Sequence, residues 1–369
     1  MKEGWEYKKL NEVCDKGSSN IVINKLADNV GEYPLFGASG LVQNVDFYHQ
    51  DKPYIGIVKD GAGVGRVNAY PAYSSLVGTM QYIFPKEVCL LEYVKYFLIK
   101  LDLSHCVSGA TIPHIYFKDY GKEMIRVPSI EVQQSIVSEL DLINDLIAKK
   151  KAQLKDLDSL AQSLFYEMFG DPVENEKGWE VKKLGEVCEV TSSKRIFAEE
   201  YVEKGIPFYR SKEVIEKSKG QPLSIELFIS EERYEEIKSS YGIPEIGDVL
   251  ITAVGTIGKI WVVDSDSPFY FKDGNLVWLR KIDGVDSLFF RFALTYLIDE
   301  YKKTNANGAA YNALTIAKLK LMMCILPPLP LQQTFATRIE AIEEEKEKIQ
   351  TSLQDLETLL ASRMQYWFD

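Results

Sequence analysis

With 369 residues, 46% of them hydrophobic and 26% charged, the chain has room for two or three separately buried cores and is neither disordered nor fibrous. No apolar run approaches the roughly 18 residues needed to span a bilayer, and Met1-Lys2-Glu3-Gly4-Trp5 carries no signal-peptide pattern, so a cytoplasmic protein is expected. A net charge of −11 excludes a uniformly basic nucleic-acid binder but not a local basic face, and five scattered cysteines without a Cys-x-x-Cys pair point to reduced thiols.

The first element is Gly4-Trp5-Glu6-Tyr7-Lys8-Lys9-Leu10-Asn11-Glu12-Val13-Cys14, and it returns 174 positions later as Gly178-Trp179-Glu180-Val181-Lys182-Lys183-Leu184-Gly185-Glu186-Val187-Cys188 with two of eleven residues changed. Next comes a turn after an apolar entry at 33–40, which exposes Ser39. The β-branched run 54–58 predicts a strand leading through Lys59 into the glycine-rich turn Gly61-Ala62-Gly63-Val64-Gly65-Arg66. A further strand is expected at 81–84 and a helix at 91–101. The loop Ser108-Gly109-Ala110-Thr111-Ile112-Pro113-His114 then offers Thr111 and His114 as polar contacts.

Pro128 stops the preceding strand and opens a long helix. Along it Ile136, Leu140, Ile143, Ile147, Lys150, Leu154 and Leu157 follow alternating steps of four and three, a heptad seam. Gly170-Asp171-Pro172 ends the helix, and a short polar link returns the chain to its repeat.

The second copy has Arg195 near its start, then the turn Ile206-Pro207-Phe208-Tyr209-Arg210-Ser211-Lys212, where Arg210 and Lys212 promise the stronger electrostatic contact. A strand at 248–252 precedes Gly255-Thr256-Ile257-Gly258-Lys259. Ala253 and Ile260 stand where a phosphate-binding P-loop needs glycine and a hydroxyl, so nucleotide binding is not expected. Both glycine turns fit plain hairpins, or a backbone that approaches a DNA groove while Arg66, Thr256 or Lys259 touches phosphate or a base edge. Strands at 260–263 and 276–279 and a helix at 287–301 follow. The loop Asn307-Gly308-Ala309-Ala310-Tyr311-Asn312-Ala313 matches 108–114 at a shift of 199 but diverges in its polar side chains. Asn307, Tyr311 and Asn312 would suit base reading.

Leu326-Pro327-Pro328-Leu329-Pro330-Leu331-Gln332-Gln333 echoes Val127-Pro128-Ser129-Ile130-Glu131-Val132-Gln133-Gln134 at the same shift of 199 and opens a second long helix. Its seam, Ile339, Ile342, Lys346, Ile349, Leu353, Leu356 and Leu360, is in register with the first. Matched seams in one chain predict an antiparallel coiled coil of rods about 50 Å long. Lys150 and Lys346 interrupt the stripe and would fix its register at some cost in stability.

Four segments follow: 1–127, 128–172, 173–326 and 327–369, a pseudo-two-fold α+β arrangement of two mixed domains and two helices. The helical segments hold 4 basic against 8 acidic residues each, whereas 1–127 balances 14 against 14 and 173–326 has 21 against 24. The variable segments can thus carry basic faces while the helices repel phosphate.

Catalytic motifs are missing. There is no Gly-x-Ser-x-Gly, no His-Glu-x-x-His and no acidic pair joined to a strand lysine; His105-Cys106 with Cys89 lacks regular ligand spacing, so no metal is expected.

The repeated Gly-Trp-Glu-x-Lys-Lys-Leu-x-Glu-Val-Cys, the Pro-Pro-Leu-x-Leu-Gln-Gln helix entry, and 149–154 running through Phe169-Gly170-Asp171-Pro172 resemble the specificity subunit of type I restriction-modification systems over essentially the whole chain. The resemblance implies two target-recognition domains, at 1–127 and 173–326, each reading half of a bipartite double-stranded DNA sequence. It also implies two spacer helices, two methyltransferase subunits as partners and motor-nuclease subunits in the full complex. S-adenosylmethionine and ATP would belong to those partners, leaving this chain non-catalytic and without a cofactor. Ser129 replaces the second proline kept at Pro328. No base-contacting residue can be carried over by motif, so Ser39, Lys59, Arg66, Thr111, His114, Arg195, Arg210, Lys212, Thr256, Lys259, Asn307, Tyr311 and Asn312 are expected from loop position and chemistry.

Overall fold

The computed structural model describes residues 5–109, 111–304 and 313–369. The chain gathers into two compact units, Met1–Ala152 with Ile349–Asp369, and Gln153–Lys348. Both long helices, Ile130–Phe169 and Leu329–Phe368, are 40 residues long and contribute one part to each unit.

In the first unit the main sheet is antiparallel, in the order Cys14–Ser18, Met80–Pro85, Tyr54–Val58, Val67–Tyr70. Every residue of Tyr54–Val58 is buried, which is why this strand is a continuous apolar run rather than an alternating one. Gly56 is needed in it, because a Cβ there would lie 2.5 Å from the Tyr70 ring. A second sheet places Tyr33–Gly37 between antiparallel Gly40–Val45 and parallel Ser75–Leu76. Helix Leu91–Leu101 buries Tyr93, Val94 and Phe97 in a core shared with Ile136 and Leu140 of one long helix and Met364 and Phe368 of the other.

The second unit repeats the strand order with Glu189–Thr191, Leu276–Arg280, Val249–Thr252 and Ile260–Val262. Its second sheet again holds a parallel pair, Ile206–Tyr209 with Tyr270–Phe271. The shift between copies grows from 174 to 199 along the chain, and helices Ser211–Ser218 and Glu231–Ser240 occupy the longer stretch. Arg210 and Lys212 were expected on a turn. Instead Arg210 sits at the N-cap of Ser211–Ser218, its backbone N–H donating to Glu213 Oε2 at 2.7 Å, and Lys212 lies in the first helical turn.

The repeated Trp-Glu segment is framework. Glu6–Lys9 pairs with Met124–Val127, and Glu180–Lys183 pairs with Met323–Leu326, so each copy straps down the strand that feeds a long helix. Trp179 Nε1 donates to the Phe169 carbonyl at 2.8 Å, and Trp5 stacks on Trp367 at 6.3 Å, so each repeated tryptophan meets the end of a long helix.

The repeated glutamine is equally structural. Gln133 is fully buried; its Nε2 donates to Val88 O and Pro128 O, both at 2.9 Å, and its Oε1 accepts from Leu90 N at 2.8 Å. Gln332 does the same with Pro327 O at 2.7 Å and Asp286 N at 2.9 Å. Each side chain satisfies backbone groups at the foot of its helix that burial would otherwise leave unpaired.

Inside each unit the two helix segments run antiparallel. In the first, Glu139 accepts from Arg363 Nη2 and from Trp367 Nε1, both at 3.0 Å, and Lys151 pairs with Glu357 at 2.9 Å. In the second, Lys346 pairs with Asp158 at 2.8 Å, and Phe169 meets Phe335 edge-on at 5.3 Å. Partner numbers fall on one helix as they rise on the other.

Among the seam positions, Ile136, Leu140, Ile143, Ile147, Ile339 and Ile349 are buried, and Leu154, Leu157, Ile342, Leu353, Leu356 and Leu360 are half-buried. Burial would lower the Lys346 pKa, but the Asp158 and Glu343 carboxylates outweigh it and hold the ammonium above its usual range. No helix among the described residues is long and apolar enough to cross a membrane.

Candidate nucleic-acid interface

Three loops converge at one edge of the first unit. Strand Tyr54–Val58 delivers Lys59, and the chain then turns through Gly61, Gly63 and Gly65, all at φ between 84° and 86°, a conformation only glycine adopts without strain. Gly65 N donates to Val58 O at 2.8 Å and Val58 N to Arg66 O at 3.0 Å, closing the hairpin. The Arg66 guanidinium folds over Gly63, where a Cβ would lie 3.2 Å from Cζ, and Nη1 donates to Ala38 O at 2.8 Å. That bond ties the hairpin to the turn bearing exposed Ser39.

On the other side, Gly61 N donates to Pro113 O and Ile115 N to Lys59 O, both at 2.9 Å. Ser108 and His114 exchange backbone bonds of 2.9 and 2.8 Å at the base of the third loop. Ser39, Lys59, Arg66, exposed Thr111 and half-buried His114 thus lie on three loops joined directly by hydrogen bonds. Two neighbours escaped the sequence reading. The ring of Tyr116 meets His114 edge-on at 5.0 Å, and Lys118 Nζ lies 5.0 Å from the Tyr116 centroid. An exposed aromatic flanked by a lysine is the residue signal that marks them.

The second unit builds the same hairpin differently. Gly258 N donates to Thr252 O at 2.8 Å, and Lys259 N to Thr252 Oγ1 at 2.9 Å, with positive φ at Gly255 and Gly258. Leu314 N donates to Ala253 O at 2.9 Å, the counterpart of the Ile115 bond to Lys59, with the donor shifted by 199 positions and the acceptor by 194. Lys259, exposed just ahead of strand Ile260–Val262, stands beside an open groove of about 380 Å³ lined by Asp158, Gln162, Lys219, Arg291 and Glu343. Thr256 is exposed on the turn. Asn307, Tyr311 and Asn312 lie outside the described residues.

The other candidates of this unit are engaged elsewhere. Arg210 Nη2 binds Glu213 at 2.8 Å and Glu226 at 3.0 Å, and those carboxylates, Glu213 foremost, raise its pKa. Lys212 pairs with the same Glu226, and Arg195 with Asp273 at 2.8 Å. By contrast, among the described residues neither Arg66 nor Lys259 has a carboxylate within ion-pair distance. Of the candidate cations, Lys59 pairs with Asp60 at 3.7 Å, and the two with no such partner among the described residues, Arg66 and Lys259, lie one on each hairpin.

Comparison with known proteins gives one consistent answer. The sequence matches the family described as type I restriction modification DNA specificity domain twice, over residues 2–156 and 176–358. A Haemophilus influenzae protein named as a type I restriction enzyme specificity subunit is 27% identical over 92% of this chain and 87% of its own. The MjaIX specificity subunit of Methanocaldococcus jannaschii is 28% identical over 71% of this chain and 64% of its own. In fold, the chain resembles the crystal structure of a type I restriction-modification S subunit from M. genitalium with a TM-score of 0.62 at 16% identity, covering 99% of this chain and 96% of that one. A chain from a type I R-M system solved for its complex assembly and conformational transition gives 0.57 at 17% identity, covering 98% and 97%.

Proposed function

Because the chain belongs to the type I restriction-modification DNA specificity family, we propose that it reads a bipartite double-stranded DNA target, one half with segment 1–127 and the other with 173–326. The observation that carries this reading is a single strand order built twice, ending in equivalent loops that carry different side chains. A shared frame holds two reading heads, and divergence at their tips lets them choose different bases.

Arg66 and Lys259 are the leading phosphate contacts, with Ser39, Lys59, Thr111, His114 and Thr256 beside them and Asn307, Tyr311 and Asn312 as further base readers. Arg195, Arg210 and Lys212 contribute less, since moving a paired cation onto phosphate first requires breaking an ion pair. Tyr116 and Lys118 join the first head. Helix segments 128–172 and 327–369 set the spacing between half-sites.

The helices also dock the methyltransferase subunits. In the first unit Leu142 and Leu146 on one helix and Leu359 and Tyr366 on the other are exposed apolar side chains off the seam, as a docking face requires. Motor-nuclease subunits complete the full complex. Methyl transfer and ATP use belong to the partners, and this chain supplies specificity without chemistry of its own.

Binding measured against salt tests the hairpin contacts. Replacing Arg66 and Lys259 together by alanine should weaken binding to the target and reduce the slope of log K against log salt by about 1.8, roughly 0.9 for each lost phosphate contact. An unaltered slope would remove both residues from the interface.

A further inference from the structure

The fold brings together three side chains that the DNA-reading surface does not use. His105 and Cys106 end the short 3-10 turn Leu103–Cys106, and Glu123 precedes the strand Met124–Val127. One donor atom from each, an imidazole nitrogen, a thiol sulfur and a carboxylate oxygen, lies within 4.8 Å of the other two. No metal is expected here from the sequence, since His105-Cys106 with Cys89 lacks ligand spacing; the fold places Glu123, not Cys89, beside the pair.

The geometry of His105 defines what can sit among them. Its Nδ1 lies 2.8 Å from the Asp102 carbonyl, which only accepts, so Nδ1 carries a proton. That leaves Nε2 directed at Glu123 Oε1, 3.1 Å away. A neutral imidazole would there set a lone pair against a carboxylate oxygen, a repulsion that a proton between the two groups or a cation bound by both relieves. A ring nitrogen fixed by donation to a backbone carbonyl, with the opposite nitrogen aimed into a donor cluster, is the outer-shell arrangement of metal-ligating histidines.

We propose that His105 Nε2, Cys106 Sγ and a Glu123 carboxylate oxygen bind one divalent cation, zinc by the softness of the donor set, with water completing a tetrahedron. Tetrahedral zinc holds such donors roughly 3.3 to 3.8 Å apart, which this cluster reaches with small side-chain rotations. On binding, the Cys106 thiol gives its proton to solvent and sulfur donates an electron pair to the cation.

The consequence is local. Cys106 lies two residues before Ser108, whose paired backbone bonds with His114 form the base of the third candidate reading loop. Metal would pin that base to the strand feeding the first long helix. The site stands apart from the DNA-reading assignment, because it can be tested with no nucleic acid present.

The test uses the metal-stripped full chain titrated with Co(II), followed by Zn(II). One equivalent of Co(II) should produce a thiolate-to-cobalt band in the near ultraviolet that one equivalent of Zn(II) abolishes. Cys106→Ser should remove the band, while Glu123→Gln and His105→Gln should each weaken binding about tenfold or more. Cys106 is partly exposed, so the serine variant should keep the wild-type circular dichroism, and the other two variants retain the thiolate reporter in any event. A band that persists in Cys106→Ser, an affinity indifferent to Glu123→Gln, or no thiolate band at all would overturn the assignment.

Discussion

Adding one heptad to both long helices, after Ala152 and after Lys348, should lengthen the unread spacer of the DNA target by about three base pairs. Those are the points at which each helix passes from one compact unit to the other. Seven residues add about 10.5 Å of helix, and B-DNA rises about 3.4 Å per base pair. A whole heptad keeps the seam facing its partner, so both cores should survive. The same insertion in one helix alone leaves the two helices unequal in length, so the antiparallel pairing of one unit can be kept only by breaking that of the other, and binding should weaken for every spacer. Selection of bound duplexes from a library of spacer lengths measures this. A doubly extended protein that still prefers the original spacer would remove the helices from the spacing role.

Replacing Gln133 by leucine should cost about 3 kcal/mol of stability in the first unit. The substitution strips Val88 O, Pro128 O and Leu90 N of their partner in a site where Gln133 is fully buried. Volume is nearly conserved, so the loss is one of hydrogen bonding rather than packing. A unit of this size should melt roughly 6 to 12 °C lower. Gln332→Leu should do the same to the second unit through Pro327 O and Asp286 N. Calorimetry on the two variants should show the lowered transition in different units, and a change under 2 °C in both would show that the amides are replaceable by water.

The parts of the fold that were legible in the sequence are the parts built twice. Trp5 and Trp179, and Gln133 and Gln332, stand at fixed shifts because each member meets a like packing demand in its own unit, and the two seams match because each helix packs against the other in both units. The glycine hairpins were legible for a related reason: their turns need positive φ, and glycine spacing advertises it.

What stayed hidden depends on contacts distant in sequence. Helix Ser211–Ser218 is only eight residues long, too short for a periodic signal, and Arg210 looked free because Glu226, sixteen positions on, cannot be placed beside it without the fold. Tyr116 and Lys118 carry no signal of their own in the sequence, because only the docking of loop 108–114 on the first hairpin places them beside the other candidates. The donor cluster at His105 likewise joins residues whose spacing matches no metal motif.

The most direct measurement of the central claim is base-resolved methylation mapping in cells that co-express the chain with its cognate methyltransferase subunits. The intact chain should direct adenine methylation to one bipartite motif. A chimera whose segment 1–127 comes from a relative of different specificity should change one half of that motif and leave the other half intact. Methylation at a continuous motif, or a chimera that alters both halves together, would contradict two independent reading heads on one frame.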